Sequence, residues 1–431
     1  MGATTTKKYF YLPALGASGQ AELDTYNAAL EVADSQLPVF PQAYATGTGT
    51  AIDPWAGDCI NDAYTACSAG GTIYLRAGYY TLGTLLGISK SLTIIGEGIG
   101  KTFVVTDNAY GFLISTGVDY VTIKNLTIDG AAMDAYTSGR NCINATQNDY
   151  LLIENVEVKN AGYYGLNLND PLYCIVKNVY AHDNDRHGVH PGANIASSNQ
   201  HNIYQNIFAW DNGYLGFAER GGEDSGYNTY DNLQCWDNGT NNIDISNQFG
   251  STVTNCIAYG GGTNNGFYIT SNEDTSFTNC FSYLNYTNGA YISGNTNINL
   301  INFICKNNAE DDGANSSGFH LYDNTSVRMT SCQAYDDRGT KKQAYGIYFQ
   351  NGTGDYVLTS CKIDGNLTAN TKKLSFTGSI TFDNGVVSGD DAVAGDIQYH
   401  NGTNWIRLAK GIAGQVLTMN AGATAPEWQA P

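Results

Sequence analysis

The sequence predicts an all-β protein whose main body is a right-handed parallel β-helix of about ten to thirteen rungs. Three observations carry that expectation. A short unit recurs every 23 to 30 residues, a glycine-led alternating strand fills the intervals, and the composition is rich in turn-formers and aromatics, with 46 Asn, 50 Gly and 31 Tyr in 431 residues.

The recurring unit is apolar-x-Asn-apolar-x-small/apolar and runs from residue 121 to 364. Ile123-Lys124-Asn125-Leu126 and Ile153-Glu154-Asn155-Val156 open the series. Its Asn returns at 178, 206, 232, 255, 279 and 302, and Ser331 and Ser360 take the Asn place in the last two units. Residues one and three after the Asn alternate inward, as in Leu126/Ile128, Ile207/Ala209, Cys256/Ala258 and Phe303/Cys305. The Gly-led segments include Gly165-Leu166-Asn167-Leu168, Gly216-Phe217-Ala218-Glu219 and Gly266-Phe267-Tyr268-Ile269. Period-2 runs bounded by Asn, Gly and Asp are strands and turns. Stacked in register, two to three such strands per repeat make a coil. A leucine-rich repeat also keeps a fixed Asn, but it needs a Leu scaffold and usually a helical return segment. Leu is sparse here and the return segments read as strands.

The constant Asn is expected to form a turn ladder, with side-chain amides bonding rung to rung. Most of the ten cysteines fall in the inward register and are expected to be buried free thiols. Rungs ~4.8 Å apart lie within disulfide range, so proximity alone leaves pairing open.

Charge and composition exclude several classes. Charged residues are 14% of the chain and the net charge is −19. A hydrophobic content of 42% is too high for a disordered acidic chain. An acidic surface argues against nucleic-acid binding, and no run of ~18 apolar residues suggests a membrane span. The start of the chain lacks a secretory h-region, so folding in a reducing cytosol is expected. No CxxC pair occurs, and neither a metal nor a cofactor is expected.

Three regions are expected: an amino-terminal segment over 1–50, the β-helix over 51–375 and a small carboxy-terminal β module over 376–431. Ile60, Ala63, Tyr64 and Cys67 share one face of a short helix suited to cover the open first rung. Leu23, Tyr26, Leu30, Ala33 and Leu37 form a two-heptad seam compatible with a trimeric coiled coil or with a helix packed on its own chain.

The run Gly57-Asp58-Cys59-Ile60-Asn61-Asp62-Ala63-Tyr64 through Gly70-Gly71-Thr72-Ile73-Tyr74-Leu75 resembles the amino-terminal signature of the pectate-lyase-like superfamily, which includes many phage tailspikes. Gly395-Asp396-Ile397 through Trp405-Ile406-Arg407-Leu408, with Gly411-Ile412-Ala413-Gly414-Gln415-Val416-Leu417 and Pro426-Glu427-Trp428, is similar to a carboxy-terminal module of phage tail fibres and tailspikes. These resemblances imply a homotrimer in the virion tail, made in the host cytoplasm, acting at the cell surface and joined to other tail proteins through its amino-terminal segment. They also imply a bacterial surface polysaccharide as ligand.

Two outward faces are candidates for function. On the strand after the Asn, Tyr180, Phe208, Ile257, Phe281 and Ile304 form one column, and His182, Trp210, Trp236, Tyr259, Tyr283 and Tyr335 form another. An apolar stripe this long suits burial between parallel chains or stacking against sugars. On the Gly-led strand the column is Asn167, His190, Ala218, Asp244, Tyr268, Tyr291, His320 and Tyr348, a mixture suited to a glycan. Nearby loops add His187, Arg220 and a carboxylate, Glu219.

Hydrolysis needs two carboxyls about 5–5.5 Å or 6.5–9.5 Å apart. Glu219 and Asp244 are the expected acid/base or nucleophile pair, and His190 is placed with them. Glu219 takes that role if its strand ends or bulges at Ala218. His187, Arg220, Tyr268, Tyr291 and His320 are expected to bind substrate. Tyr164-Gly165-Leu166-Asn167-Leu168-Asn169 resembles the Tyr-Gly-x-Asp-Pro-His catalytic run of mannuronan epimerases, with Asn at both the Asp and the His positions. The resemblance implies the fold, and the missing pair argues against that activity. The expected function is therefore a trimeric tailspike that recognises and hydrolyses a host polysaccharide. A purely binding fibre or adhesin is the alternative, and a uronate lyase or epimerase the weaker one.

Overall fold

A computed structural model describes residues 39–41, 55, 59–106, 110–131, 133, 138–192, 199–222, 224–260, 262–311, 313, 315–383, 395, 397–400 and 405–431. The seam of Leu23 to Leu37 lies outside these residues.

The body is a right-handed parallel β-helix of about 12 turns. Twelve strands, from Leu86–Ile88 to Ala369–Leu374 and including all the Gly-led ones, form one parallel sheet, the Gly-led sheet. A second, 20-stranded sheet of the coil folds at the recurring Asn. Leu152–Lys159 shows why it folds there. Asn155 sits mid-strand at φ 51°, a left-handed turn that Asn tolerates and that splits the strand into two faces. In the later rungs the split is complete, as between Thr252–Thr254 and Ile257–Tyr259.

The Asn turn ladder is present. Asn155 Nδ2 donates to Asn125 Oδ1 at 3.0 Å, and Asn178, Asn206 and Asn232 each repeat this on the preceding rung. The chain of bonds shifts once, where Asn255 donates to Asp231 instead, and then resumes at Asn279 and Asn302. Ser331 and Ser360 keep the left-handed turn at φ 54° and 53°.

Side chains of the inward register form one continuous core. All ten cysteines are buried and free. A second ladder, unnoticed in the sequence, lies inside the coil. Asn184, Asn212, Asn238 and Asn242 pass amide hydrogen bonds from rung to rung, continuing through Asn285, Asn308, Gln343 and Asn366. These buried amides satisfy one another and the nearby backbone, which is what permits them inside an apolar coil.

The helix Cys59–Ala66 buries Cys59, Ile60 and Ala63 and contacts the strand Gly78–Leu82 of the first turn. At the other end, Ser379–Asp383 still pairs in parallel with Asp355–Thr359, with Phe376 and Ile380 against the core. The parallel stack thus passes the expected boundary at 375, because those two side chains continue the inward register. Two antiparallel pairs follow, Ile397–His400 with Trp405–Leu408 and Val416–Met419 with Pro426–Gln429.

Candidate functional site

The Gly-led sheet carries the candidate site. Its leading glycines are needed because a Cβ at Gly188 would lie 2.7 Å from Gly216 O and 2.8 Å from Asn212 Nδ2 of the interior ladder. Parallel pairing sets the outward column in register: Asn144, Asn167 and His190, then Ala218, Asp244, Tyr268, Tyr291, His320, Tyr348 and Lys372.

At the His190 end the rings close on one another. Tyr164 stacks on His190 and His187 at 4.6 and 4.8 Å, and the two imidazoles stack at 5.2 Å. Asn167 Oδ1 accepts from His190 Nδ1 at 3.0 Å, so the proton is on Nδ1. Leu215 N donates to His187 Nδ1 at 3.3 Å, which assigns the opposite tautomer there. Burial, then the charges of Arg220 and Arg186, push His190 down to about 3. Burial, then His190 and the same two arginines, hold His187 well below its ordinary value. Both are neutral at pH 7. Arg186 lies over the rings of Tyr163, Tyr164 and Tyr214 and donates to the Tyr163 hydroxyl.

The expected Glu219–Asp244 pair is not assembled. The strand Phe217–Arg220 neither ends nor bulges at Ala218. Glu219 pairs in register with the core residue Ile245 and points into the coil, fully buried. Partners inside make this tolerable. Asn199 Nδ2 donates to Glu219 Oε1 at 2.8 Å, and the Tyr230 hydroxyl lies 3.0 Å from both Glu219 Oε2 and Gln248 Oε1. The single Tyr230 hydrogen serves one of those two contacts. A proton on Glu219 supplies the other, in keeping with burial raising this carboxyl well above its ordinary value.

Asp244 does face outward, but it is covered. Its residue is 1% exposed, Arg220 Nε reaches Oδ2 at 3.3 Å and Ser246 donates to Oδ1. Burial raises it from 3.8 to about 6, opposed by the Ser246 hydrogen bond and by Arg220. Ala218 is fully buried too, so the expected open notch between His190 and Asp244 is filled.

Further along, three expected sugar-binding residues do come together. Tyr268 stacks on Tyr291 at 5.4 Å, and His320 meets Tyr291 edge-on at 5.0 Å. They line a cleft of about 470 Å³ with Asn264, Asn265, Asn288, Asp311 and Ser316. Gln350 Oε1 lies 3.0 Å from His320 Nε2. Asp311, missed in the sequence, accepts from Gly313 N and Ser316 Oγ, both at 2.9 Å. Its signal was available: the Asn302-to-Ser331 interval is 29 residues, longer than its neighbours before it, and the insertion carries Glu310-Asp311-Asp312.

On the opposite outward face, His182, Trp210, Trp236, Tyr259 and Tyr283 form one unbroken stack with centroid spacings of 4.2 to 5.6 Å. The adjacent column of Tyr180, Phe208, Ile257, Phe281 and Ile304 is partly exposed in the single chain.

A family model described as right-handed β-helix region matches residues 110–273. No curated protein matches the chain by sequence. Solved structures do match. The A-module of the Azotobacter vinelandii mannuronan C-5 epimerase AlgE4 superposes with a TM-score of 0.59 at 18% identity, over 81% of this chain and 100% of that one. Tailspike protein 3 of bacteriophage CBA120 gives 0.57 at 15% identity, over 97% and 70%. The Dettilon tailspike protein gives 0.56 at 15%, over 80% and 68%. At these identities the likeness is one of fold.

Proposed function

We propose that this chain is a polysaccharide-recognising tailspike protein that holds its glycan along the Gly-led face. One observation carries the reading. The cleft of Tyr268, Tyr291 and His320 combines aromatic rings with the amides of Asn264, Asn265 and Asn288 and the carboxylate of Asp311. Rings pack against the C–H faces of pyranoses, while amides and carboxylates bond their hydroxyls. The tailspike-like ends of the sequence and the tailspike folds it resembles support the same assignment.

Hydrolysis is the second reading, and Asp244 favours it. A carboxyl that keeps its proton up to about pH 6 is suited to donate one near neutrality, and burial, then the neighbouring Asp244, raises the Tyr268 hydroxyl. Asp311 is a second carboxyl, on the wall of the cleft itself. The lyase reading is weaker. Arg186 is engaged by three tyrosine rings, Arg220 by Asp244, and a His190 that protonates only near pH 3 is a poor base for an α-proton. The aromatic and apolar columns on the opposite face support association of three parallel chains.

Incubation with a panel of bacterial surface polysaccharides tests the reading. Retention of one glycan by the wild type, and its loss in Tyr291→Ala, is the expected result. New reducing ends mark hydrolysis, ultraviolet absorbance of an unsaturated product marks a lyase, and neither marks a binding fibre. No binding across the panel refutes the proposal.

A further inference from the structure

A separate aromatic ladder runs along a turn of the coil. Tyr120, Tyr150, Tyr173, His201 and Tyr227 stack on successive rungs, with centroids 4.9–5.3 Å apart and planes within 9°. Each has a left-handed backbone, φ 55–57°, which is unfavourable for a bulky side chain. On the next rung Gly250 takes the position, with the Tyr227 ring so close that a Cβ would meet it at 3.1 Å. The ladder ends there. Phe249, one residue earlier and 39% exposed, stands at 82° to Tyr227.

Phe249 lines a pocket of about 330 Å³ with Gly221, Gly222, Asn247, Ser271 and Glu273. The strands Phe217–Arg220 and Ile243–Ser246 of the Gly-led sheet run directly into Gly221 and Asn247. The pocket therefore lies at the exit end of this sheet, whereas the cleft of Tyr291 and Asp311 lies at the entry end. The two are distinct sites on overlapping rungs. Among the described residues the wall holds no Lys, Arg or His, and the exposed Glu273 carboxylate has neither an ion pair nor a hydrogen bond.

We propose that this pocket is a second saccharide subsite, which takes one or two sugar residues of an uncharged polysaccharide. Phe249 supplies the stacking face, and Asn247, Ser271 and Glu273 take ring hydroxyls. The volume suits a unit of that size. A uronate would meet the Glu273 carboxylate without a cation to offset it, in a chain of net charge −19. The inference rests on glycan recognition by this protein and adds a site and a charge class to it.

The test compares wild type, Phe249→Ala, Glu273→Gln and Tyr291→Ala, each as the full chain, on immobilised neutral and uronate-containing bacterial polysaccharides. The expected result is wild-type retention of a neutral glycan, with affinity at least fivefold weaker in Phe249→Ala and in the near-isosteric Glu273→Gln. Unchanged circular dichroism in Glu273→Gln separates loss of contact from loss of fold. If Tyr291→Ala loses binding while both pocket variants bind as wild type, this inference is overturned and the broader reading stands. Retention of uronate-containing glycans alone overturns the charge class. If the wild type binds nothing, the broader reading fails, and this inference with it.

Discussion

Replacing Glu219 with Gln is the most informative single change, because interior and exterior placements of that residue predict opposite results. In the structure the carboxyl is fully buried, accepts from Asn199 and shares the Tyr230 hydroxyl with Gln248. A Gln amide keeps the acceptor for Asn199 and supplies the hydrogen that Tyr230 needs, so every contact survives. The sign of the pH effect follows from the raised native value. Folded, Glu219 keeps its proton; unfolded, it loses it above its ordinary 4.5. Its contribution is full below pH 4.5 and is lost as pH rises. The slope is about 1.4 kcal/mol per pH unit until the native carboxyl itself ionises. The variant lacks this slope. Urea denaturation followed by tryptophan fluorescence at pH 5, 6 and 7 should show Glu219→Gln gaining on wild type as the pH rises, by up to about 1.4 kcal/mol per unit while the native carboxyl keeps its proton. Glu219→Ala should instead cost on the order of 2–4 kcal/mol at pH 5, through a cavity and stranded polar groups. Glycan cleavage, where present, should be unaffected by Glu219→Gln. A stability difference that does not vary with pH, or a hundredfold loss of cleavage, would refute the buried, protonated placement.

Asp244 should behave similarly in a lower window. Its stabilising contribution is full below pH 3.8 and lost by about pH 6, so Asp244→Asn should flatten the stability profile between those values, and a slope kept by the variant would contradict the assignment. The thiols should be inert: iodoacetamide without denaturant should label few of the ten cysteines over an hour, since all are buried and burial pushes Cys142 and Cys174 up to about 12. Cys256→Ala should cost roughly 1–2 kcal/mol by denaturant midpoint and leave glycan binding intact. Light scattering should give a mass of about 139 kDa, three times 46.3 kDa, and a value near 46 kDa would remove the trimer. Deleting residues 395–431 should impair that assembly more than the circular dichroism of the coil.

Much of the fold was legible because a parallel coil repeats its constraints. Each rung bends between the same two strands, so Asn125 to Asn302 mark that bend. Each rung must alternate, so Leu126, Val156 and Cys256 could be placed inside by counting. The aromatic column from His182 to Tyr283 and the grouping of Tyr268, Tyr291 and His320 followed from the same count. The interior ladder of Asn184, Asn212 and Asn238 was harder to see, because isolated Asn residues near turns look like ordinary turn-formers until their amides are found 2.8–2.9 Å apart.

The site separated what alternation decides from what it does not. Strict alternation sends Glu219 inward, although a lone buried carboxylate is costly. That cost depends on partners. Asn199 lies 20 residues away in the chain and Tyr230 lies 11 away, and nothing local announces that they meet the carboxyl inside the coil. Asp311 came from the same kind of ignorance in reverse: an inserted loop has no register, so its placement beside Tyr291 had to be seen. The sequence by itself determined the coil, its inward and outward columns and the turn ladder of its recurring Asn, because those depend on periodicity along one chain. Only the tertiary structure decided which polar groups are covered, partnered or open, because burial and hydrogen bonding belong to residues brought together across rungs.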